Sequence, residues 1–365
     1  MQKIYTADEV FTGVERLPNH AVIVQDDVIK NVLPVISLPK NSKINSHSSL
    51  IAPAFIDVQI YGANKKLFAV FPTADALEDL YKHCLSGGAH FFQPTVATNT
   101  LQVVYKCINA VNDYYKGGGK GLIGLHLEGP WLNKLKRGAH VEKLIHSPEI
   151  KEVKELLNYG KGVIKMITLA PEVCSTDVIK LIQSSGVIIS AGHSKATFTQ
   201  ATQAFDSGVY TVTHLFNAMS SFHHREPGLP GAVMQHPTVM ASIIADGHHV
   251  DFEVIKIAKR LIQRRLFLIT DAVTETKQGY YPHQLEGDKY VAKGILSGSS
   301  ITMLQSVKNC IEKVGIELNE ALRMASLYPA KVLGIDHYAG MIKKGYSASL
   351  IMLDKELNLI GGNII

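Results

Sequence analysis

From residue 51 onward the chain repeats one pattern: a short, unbroken apolar run ending in a polar or glycine-bearing signature, then a longer amphipathic stretch. The runs are "APAFIDVQ", "HFFQPTVATN", "GLIGLHLEGP", "VIKMITLAPE", "VIISAGHS", "YTVTHLFNA", "MASIIADGHH" and "LFLITDAV". Between most of them lie segments with apolar positions at helical spacing, such as Ala74 to Ser86, Leu101 to Tyr115, Pro148 to Tyr159 and Phe252 to Gln263. Unbroken apolar strands alternating with helices predict a parallel sheet covered on both faces. Eight such strands fit a TIM-type (β/α)8 barrel better than an open sheet. In that fold the polar residues at the strands' C-terminal ends form the active-site face. The segment "SSFHHREPGLPGAVMQHP", between the sixth and seventh runs, reads as a long functional loop.

The two ends of the chain differ. "KIYTADEVFTG", "HAVIVQDDVIKNVLP" and "SSLIAP" alternate apolar with polar residues and carry turn residues, as does "GMIKKGYSASLIMLDKELNLIGGNII". They predict a small β-sandwich domain formed by both termini, residues 1–50 with 339–365, beside a catalytic barrel over 51–338. No Pro/Ser-rich spacer separates the two.

Composition narrows the function classes. The length of 365 residues suits one large barrel, and 46% hydrophobic with 19% charged residues is ample for a core. A formal charge of +5 suits an anionic small molecule, and no basic run suggests nucleic acid or a membrane surface. The start lacks the apolar core of a signal peptide, and no stretch is long enough to span a bilayer. Cys84, Cys107, Cys174 and Cys310 have no paired spacing and read as thiols of a reducing cytoplasm. Histidine is the outlier, with 16 copies, several directly after apolar runs.

Those strand ends carry the candidate chemistry. Glu128 follows the third run, His193 the fifth, His214 lies within the sixth, and Asp271 follows the eighth. A carboxylate out of water costs several kcal/mol or more unless it is paired or bound to a metal. One strand-end histidine is more often a hydrogen-bonded structural residue than a ligand, and a strand-end Asp is often a helix N-cap. Together at one barrel mouth, a Glu and two imidazoles form a divalent-metal ligand set with a position open for water. Asp271 then suits the transfer of that water's proton to a leaving group.

The ordered set "HLEGPW", "GHS", "THLFNAM", "REPGLPGAV", "IIADGHHVD", "LITDA", "LSGSS" and "RMASLYPAKVLG" closely resembles the N-acetylglucosamine-6-phosphate deacetylase family, within the amidohydrolase superfamily of metal-dependent barrels. The resemblance covers nearly the whole chain. It implies that Glu128, His193 and His214 hold a divalent metal, zinc before iron, manganese or cobalt, and that Asp271 is the acid/base. It implies that His140, in "KRGAH", contacts the acetamide carbonyl. It places the sugar phosphate against Asn217, Ala218, Arg225 and His249, with Ala139 and Asp246 also in the substrate site and Leu296, Ser297 and Gly298 closing it. The Arg matching Arg225 reaches across from a neighbouring subunit in that family, which implies a homodimer.

One departure stands out. Many amidohydrolases carry His-x-His at the end of the first strand and hold two metals. Here the stretch is "DVQIYG", with Gln59 and Tyr61. An amide is a poor ligand and a phenol of pKa about 10 a poorer one, so a single metal is expected and this pair marks a vestigial second position. The reaction implied is hydrolysis of N-acetyl-D-glucosamine 6-phosphate to D-glucosamine 6-phosphate and acetate. Its competitors are the same reaction on the N-acetylgalactosamine epimer, hydrolysis of a cyclic amide, and a non-catalytic sugar-phosphate sensor on the same scaffold.

Overall fold

The structure is a computed structural model that describes residues 2–360; residues 1 and 361–365, part of the expected small domain, lie outside the described residues. The chain opens with β1 (Gln2–Phe11), β2 (Arg16–Gln25), β3 (Val28–Pro34) and β4 (Ser46–Pro53). β1 and β2 pair antiparallel, as do β2 and β3, while β4 lies parallel to β1. The two-residue turn Asp26–Asp27 between β2 and β3 has φ of 53° and 56°, the left-handed geometry that matches the twist of a tight hairpin. Tyr5, Val10, Val22 and Ile29 of these strands are buried in one apolar cluster.

The barrel follows at once. β5 (Phe55–Ile60) is buried along its whole length, and its two polar side chains, Asp57 and Gln59, bond to Thr270 and Asp271 instead of to solvent. A short hairpin, β6 (Gly62–Ala63) with β7 (Lys66–Leu67), leads to α1 (Ala74–Ser86). The hydroxyl of Thr73 accepts the Ala76 N–H and starts α1, a cap worth about 1 kcal/mol. The helix turns Leu77 and Leu80 onto the sheet, where each contributes about 1.5–3 kcal/mol by leaving water. The same unit then recurs through β8 (Ala89–Ala97), α2 (Leu101–Lys116), β9 (Leu125–Glu128), α3 (Ile150–Tyr159), β10 (Ile164–Leu169) and α4 (Thr176–Ser184). It continues through β11 (Ile188–Ala191), α5 (Phe198–Asp206), β12 (Thr211–Val212), α6 (Gly228–Gln235), β13 (Met240–Ile244), α7 (Phe252–Ile262) and β14 (Leu266–Ile269).

Strands β5 and β8 to β14 form one eight-stranded sheet whose neighbours all run parallel. They are the eight runs read from the sequence. The ring closes between its first and last strands, where Asp271 N–H donates to Gln59 O at 2.9 Å and Tyr61 N–H to Ala272 O at 2.8 Å. Asp57 crosses the same seam, its carboxylate accepting the Thr270 hydroxyl at 2.5 Å.

Two segments depart from expectation. The stretch between the sixth and seventh strands is only partly loop, because Gly228–Gln235 is the helix α6; two glycines and a proline hide it from a propensity reading. After β14 the chain builds a three-stranded antiparallel sheet over the barrel mouth, β15 (His283–Glu286), β16 (Lys289–Ala292) and β17 (Ile295–Ser299), too short to announce itself in periodicity. Helices α8 (Met303–Asn309), α9 (Leu318–Ala325) and α10 (Leu327–Val332) follow. Then β18 (Leu350–Leu353) returns to pair antiparallel with β4, so both ends of the chain supply one sheet of order β18-β4-β1-β2-β3. No helix among the described residues is long and apolar enough to cross a membrane.

Candidate active site

At the C-terminal mouth of the barrel lies a cavity of about 220 Å³ lined by Glu128, His140, His193, His214 and Asp271. Glu128 ends β9, and His193, His214 and Asp271 each stand two residues past a strand, on β11, β12 and β14. Those three residues have φ of 48°, 34° and 53°. Left-handed backbone at a non-glycine residue is uncommon and costs on the order of 1–3 kcal/mol, and such positions cluster at functional sites. Here each one turns the chain sharply at a strand end and leaves the side chain over the mouth.

Glu128 is the hub. Its Oε1 lies 3.0 Å from His214 Nε2 and 3.2 Å from His193 Nε2, and those two nitrogens are 3.1 Å apart. His193 Nδ1 faces the Lys136 carbonyl at 2.9 Å, so that nitrogen carries a proton and Nε2 is the atom turned toward Oε1. A carboxylate oxygen and two imidazole nitrogens gathered in a buried place suit a cation among them. Donors at 2.0–2.1 Å from a tetrahedral ion stand about 3.3 Å apart, close to the three separations found. Among the described residues, every ion-pair partner of Glu128 is a histidine, so no Lys or Arg compensates it.

His140 also falls within reach, since one ligand atom from each of Glu128, His140 and His193 lies within 4.8 Å of the others. Its hydrogen bonds argue against ligation. His140 Nδ1 accepts the Thr98 N–H at 3.3 Å, so Nε2 bears the proton and donates to Glu128 Oε2 at 3.0 Å. A ring held as a donor into the cavity suits polarising a carbonyl oxygen. His214 places its Nε2 on Oε1 at 3.0 Å, and its Nδ1 is buried without a hydrogen-bond partner.

Electrostatics separate the two carboxylates. Burial pushes Glu128 up, but His193 and His140 beside it outweigh that and hold it well below the usual carboxylate range. Asp271 lies the other way: burial, with Glu128, Asp246 and Asp57 near, raises it well above that range against the pull of His214. One anion for ligation and one group able to carry a proton is the division that acid–base hydrolysis needs. Gln59 Nε2 reaches Asp271 Oδ1 at 2.7 Å and Tyr61 Oη at 2.8 Å, while the Tyr61 hydroxyl donates to Glu128 Oε2 at 2.5 Å.

Most residues named from the sequence meet here. Ala139, Asn217, Ala218 and His249 line the cavity, as do Leu296, Ser297 and Gly298 on β17. Asp246 does not: its side chain, 2% exposed, accepts the His248 and His249 N–H groups and grips His249 Nδ1 at 2.6 Å. It reaches the cavity through His249. Arg225 is exposed on the loop before α6 and does not line the cavity of its own chain. Reading the sequence missed Thr98, Tyr281 and His283. Tyr281 lines the cavity and donates to Thr98 O at 2.6 Å, and His283, which burial brings down to about 4, meets Ser297 Oγ at 2.9 Å. It also missed the floor, where His126 bonds Val58 O at 3.1 Å and Thr168 Oγ1 at 2.7 Å.

Comparison with known proteins fits this geometry. The chain matches the amidohydrolase family over residues 50–363 and the NagA composite domain over residues 4–46. It is 33% identical to the N-acetylglucosamine-6-phosphate deacetylase of Haemophilus influenzae, over 96% of this chain and 95% of that one. It is 30% identical to the N-acetylgalactosamine-6-phosphate deacetylase of Escherichia coli O157:H7, over 98% and 97%. The crystal structure of N-acetylglucosamine-6-phosphate deacetylase from Pasteurella multocida superposes with a TM-score of 0.95 at 31% identity, covering 100% of this chain and 98% of that one.

Proposed function

The chain belongs to the amidohydrolase family, and on that footing we propose that it hydrolyses N-acetyl-D-glucosamine 6-phosphate to D-glucosamine 6-phosphate and acetate. One observation carries the reading: Glu128, His193 and His214 converge within 3.2 Å of one another beside a proton-bearing His140 and a buried Asp271. A divalent cation, when held by those three donors, supplies Lewis acidity and makes water a usable nucleophile at neutral pH.

The chain's own groups do the rest. Asp271 accepts the proton as water adds to the amide carbon, then delivers it to the departing nitrogen as the C–N bond breaks. His140 Nε2–H donates to the carbonyl oxygen, which gains charge in the tetrahedral state. Asn217, Ala218, His249 and the Leu296–Gly298 segment take the sugar phosphate, and Asp246 fixes the ring of His249. Binding energy from that remote end holds the amide in place for attack.

The finer assignments follow from the same reading. One ion per subunit, zinc first, is expected because Gln59 and Tyr61 offer poor donors where a second would sit. A homodimer brings Arg225 to the neighbouring cavity, where its guanidinium fork suits two phosphate oxygens. Among the described residues the small domain extends past the expected boundary at residue 50, since β4 runs to Pro53 within its sheet, and the catalytic barrel starts with β5. Four unpaired cysteines support a cytoplasmic enzyme.

The test is acetate release from the sugar phosphate by the native chain and by Asp271→Asn. Release should collapse in the variant, and undiminished turnover would remove the mechanism. The relative from Escherichia coli O157:H7 favours a second reading, the galactosamine epimer; turnover of both epimers at equal concentration decides between them.

A further inference from the structure

The hydroxyl of Tyr61 does more than fill space. Inward-facing side chains on a strand recur every second residue, so Asp57, Gln59 and Tyr61 climb one face of β5 toward the barrel mouth. The Tyr61 backbone is tied across the seam to Ala272 O at 2.8 Å, and its ring packs against Leu67, Val273 and Tyr281. Backbone and ring are thus both fixed, and the hydroxyl has one place to go. It donates to Glu128 Oε2 at 2.5 Å and accepts from Gln59 Nε2 at 2.8 Å.

Glu128 Oε2 receives a second donor, His140 Nε2–H, at 3.0 Å. The other oxygen, Oε1, faces His193 Nε2 and His214 Nε2. An ionised carboxylate has about four lone-pair positions and can grip a cation with both oxygens. Among the described residues the two oxygens differ in their neighbours: Oε2 meets Tyr61 and His140, whereas Oε1 meets both histidine nitrogens, with Gln59 Nε2 beside them at 3.1 Å.

We propose that Tyr61 is a positioning residue for the metal centre: its hydroxyl, together with His140, engages Glu128 Oε2 and so restricts the carboxylate to binding a cation through Oε1 alone. The proposal rests on the metal-dependent reading above. One-point attachment keeps the coordination number low and leaves room on the cation for water and substrate. A phenol does this by hydrogen bonding, with no charge of its own. Gln59, which touches Tyr61, Glu128 and Asp271 at 2.8, 3.1 and 2.7 Å, holds the hydroxyl in register with the acid/base.

The experiment is titration of the metal-stripped full chain with Co²⁺, followed by visible absorption and metal content, for the native protein and for Tyr61→Phe. Phenylalanine keeps the ring on Leu67, Val273 and Tyr281 and removes one oxygen. The native chain should take up one Co²⁺ with the intense bands of a four- or five-coordinate ion. In the variant Oε2 keeps His140 as its one donor and should turn toward the ion, so the bands weaken as coordination rises, and affinity should fall about tenfold or more, the usual cost of losing such a supporting partner. Identical spectra and affinities in the two proteins would overturn the role given to Tyr61 while leaving the metal reading standing. A native chain that takes up no cobalt would overturn both.

Discussion

Thr98 donates its backbone N–H to His140 Nδ1 at 3.3 Å and sets its hydroxyl 2.8 Å from the same nitrogen. That contact decides which nitrogen of the ring carries the proton, and therefore whether His140 can donate into the cavity. Thr98→Val keeps the shape and the backbone donor but removes the closer partner. A hydrogen bond of this kind is worth about 1 kcal/mol net, so kcat should fall about fivefold with KM near native. Steady-state kinetics check this; a rise in KM with unchanged kcat would assign Thr98 to binding instead.

Asp246 grips His249 at 2.6 Å with both side chains nearly sealed from solvent. Asp246→Asn keeps an oxygen for the two backbone N–H groups but puts an amide N–H against the ring nitrogen, so the imidazole must turn. Hydrogen bonds to charged groups are worth about 1.5–3 kcal/mol, which predicts a loss of roughly 10–100-fold in kcat/KM, carried mainly by KM. Should kcat alone drop, His249 would belong to the chemical step and not to substrate binding.

Removing the cation should silence the protein and loosen it together. Without it Glu128, His193 and His214 remain buried with electron-rich atoms about 3 Å apart. A ligand present at a thousand times its dissociation constant stabilises by about 4 kcal/mol, so dialysis against a chelator should lower Tm by on the order of 5 °C or more and abolish turnover. Adding zinc should restore both. Unaltered melting and turnover after stripping would refute the site.

Asp57 predicts an acid-side slope in stability. Burial raises its carboxyl to about 6, against the lowering contributed by hydrogen bonds from Thr270 and Gln59. The folded state keeps this proton up to about pH 6, whereas the unfolded chain gives it up near pH 4. The folded state therefore holds more protons in that window, and the contribution is full below pH 4 and lost as pH rises through 6. A gap of that size corresponds to about 3 kcal/mol. Unfolding free energies of the native chain and Asp57→Asn should diverge across this range, the variant gaining relative stability with pH; parallel curves from pH 4 to 7 would rule the assignment out.

The barrel was legible because its strands are buried on both faces. A strand such as β14, with every residue covered, reads as an unbroken apolar run. Glu128, His193, His214 and Asp271 were legible for the opposite reason: each breaks an apolar context at a strand end, where a charge demands a purpose. His140 gave no such sign, since it sits in the loop after β9, and only the family resemblance pointed to it. Thr98 and Tyr281 were invisible because their importance arises from contacts 42 and 183 residues away in sequence. Asp246 was expected in the substrate site and instead turns its oxygens to His249 behind the cavity wall, since spacing locates a residue and only packing shows which way its side chain faces.

The join between first and last strands carries one more implication. The amide that locks the cylinder shut on Gln59 belongs to Asp271, the residue to which the proposed reaction gives the proton. Staves and working part are fastened by the same rivet, so a barrel sprung open there has already lost its chemistry.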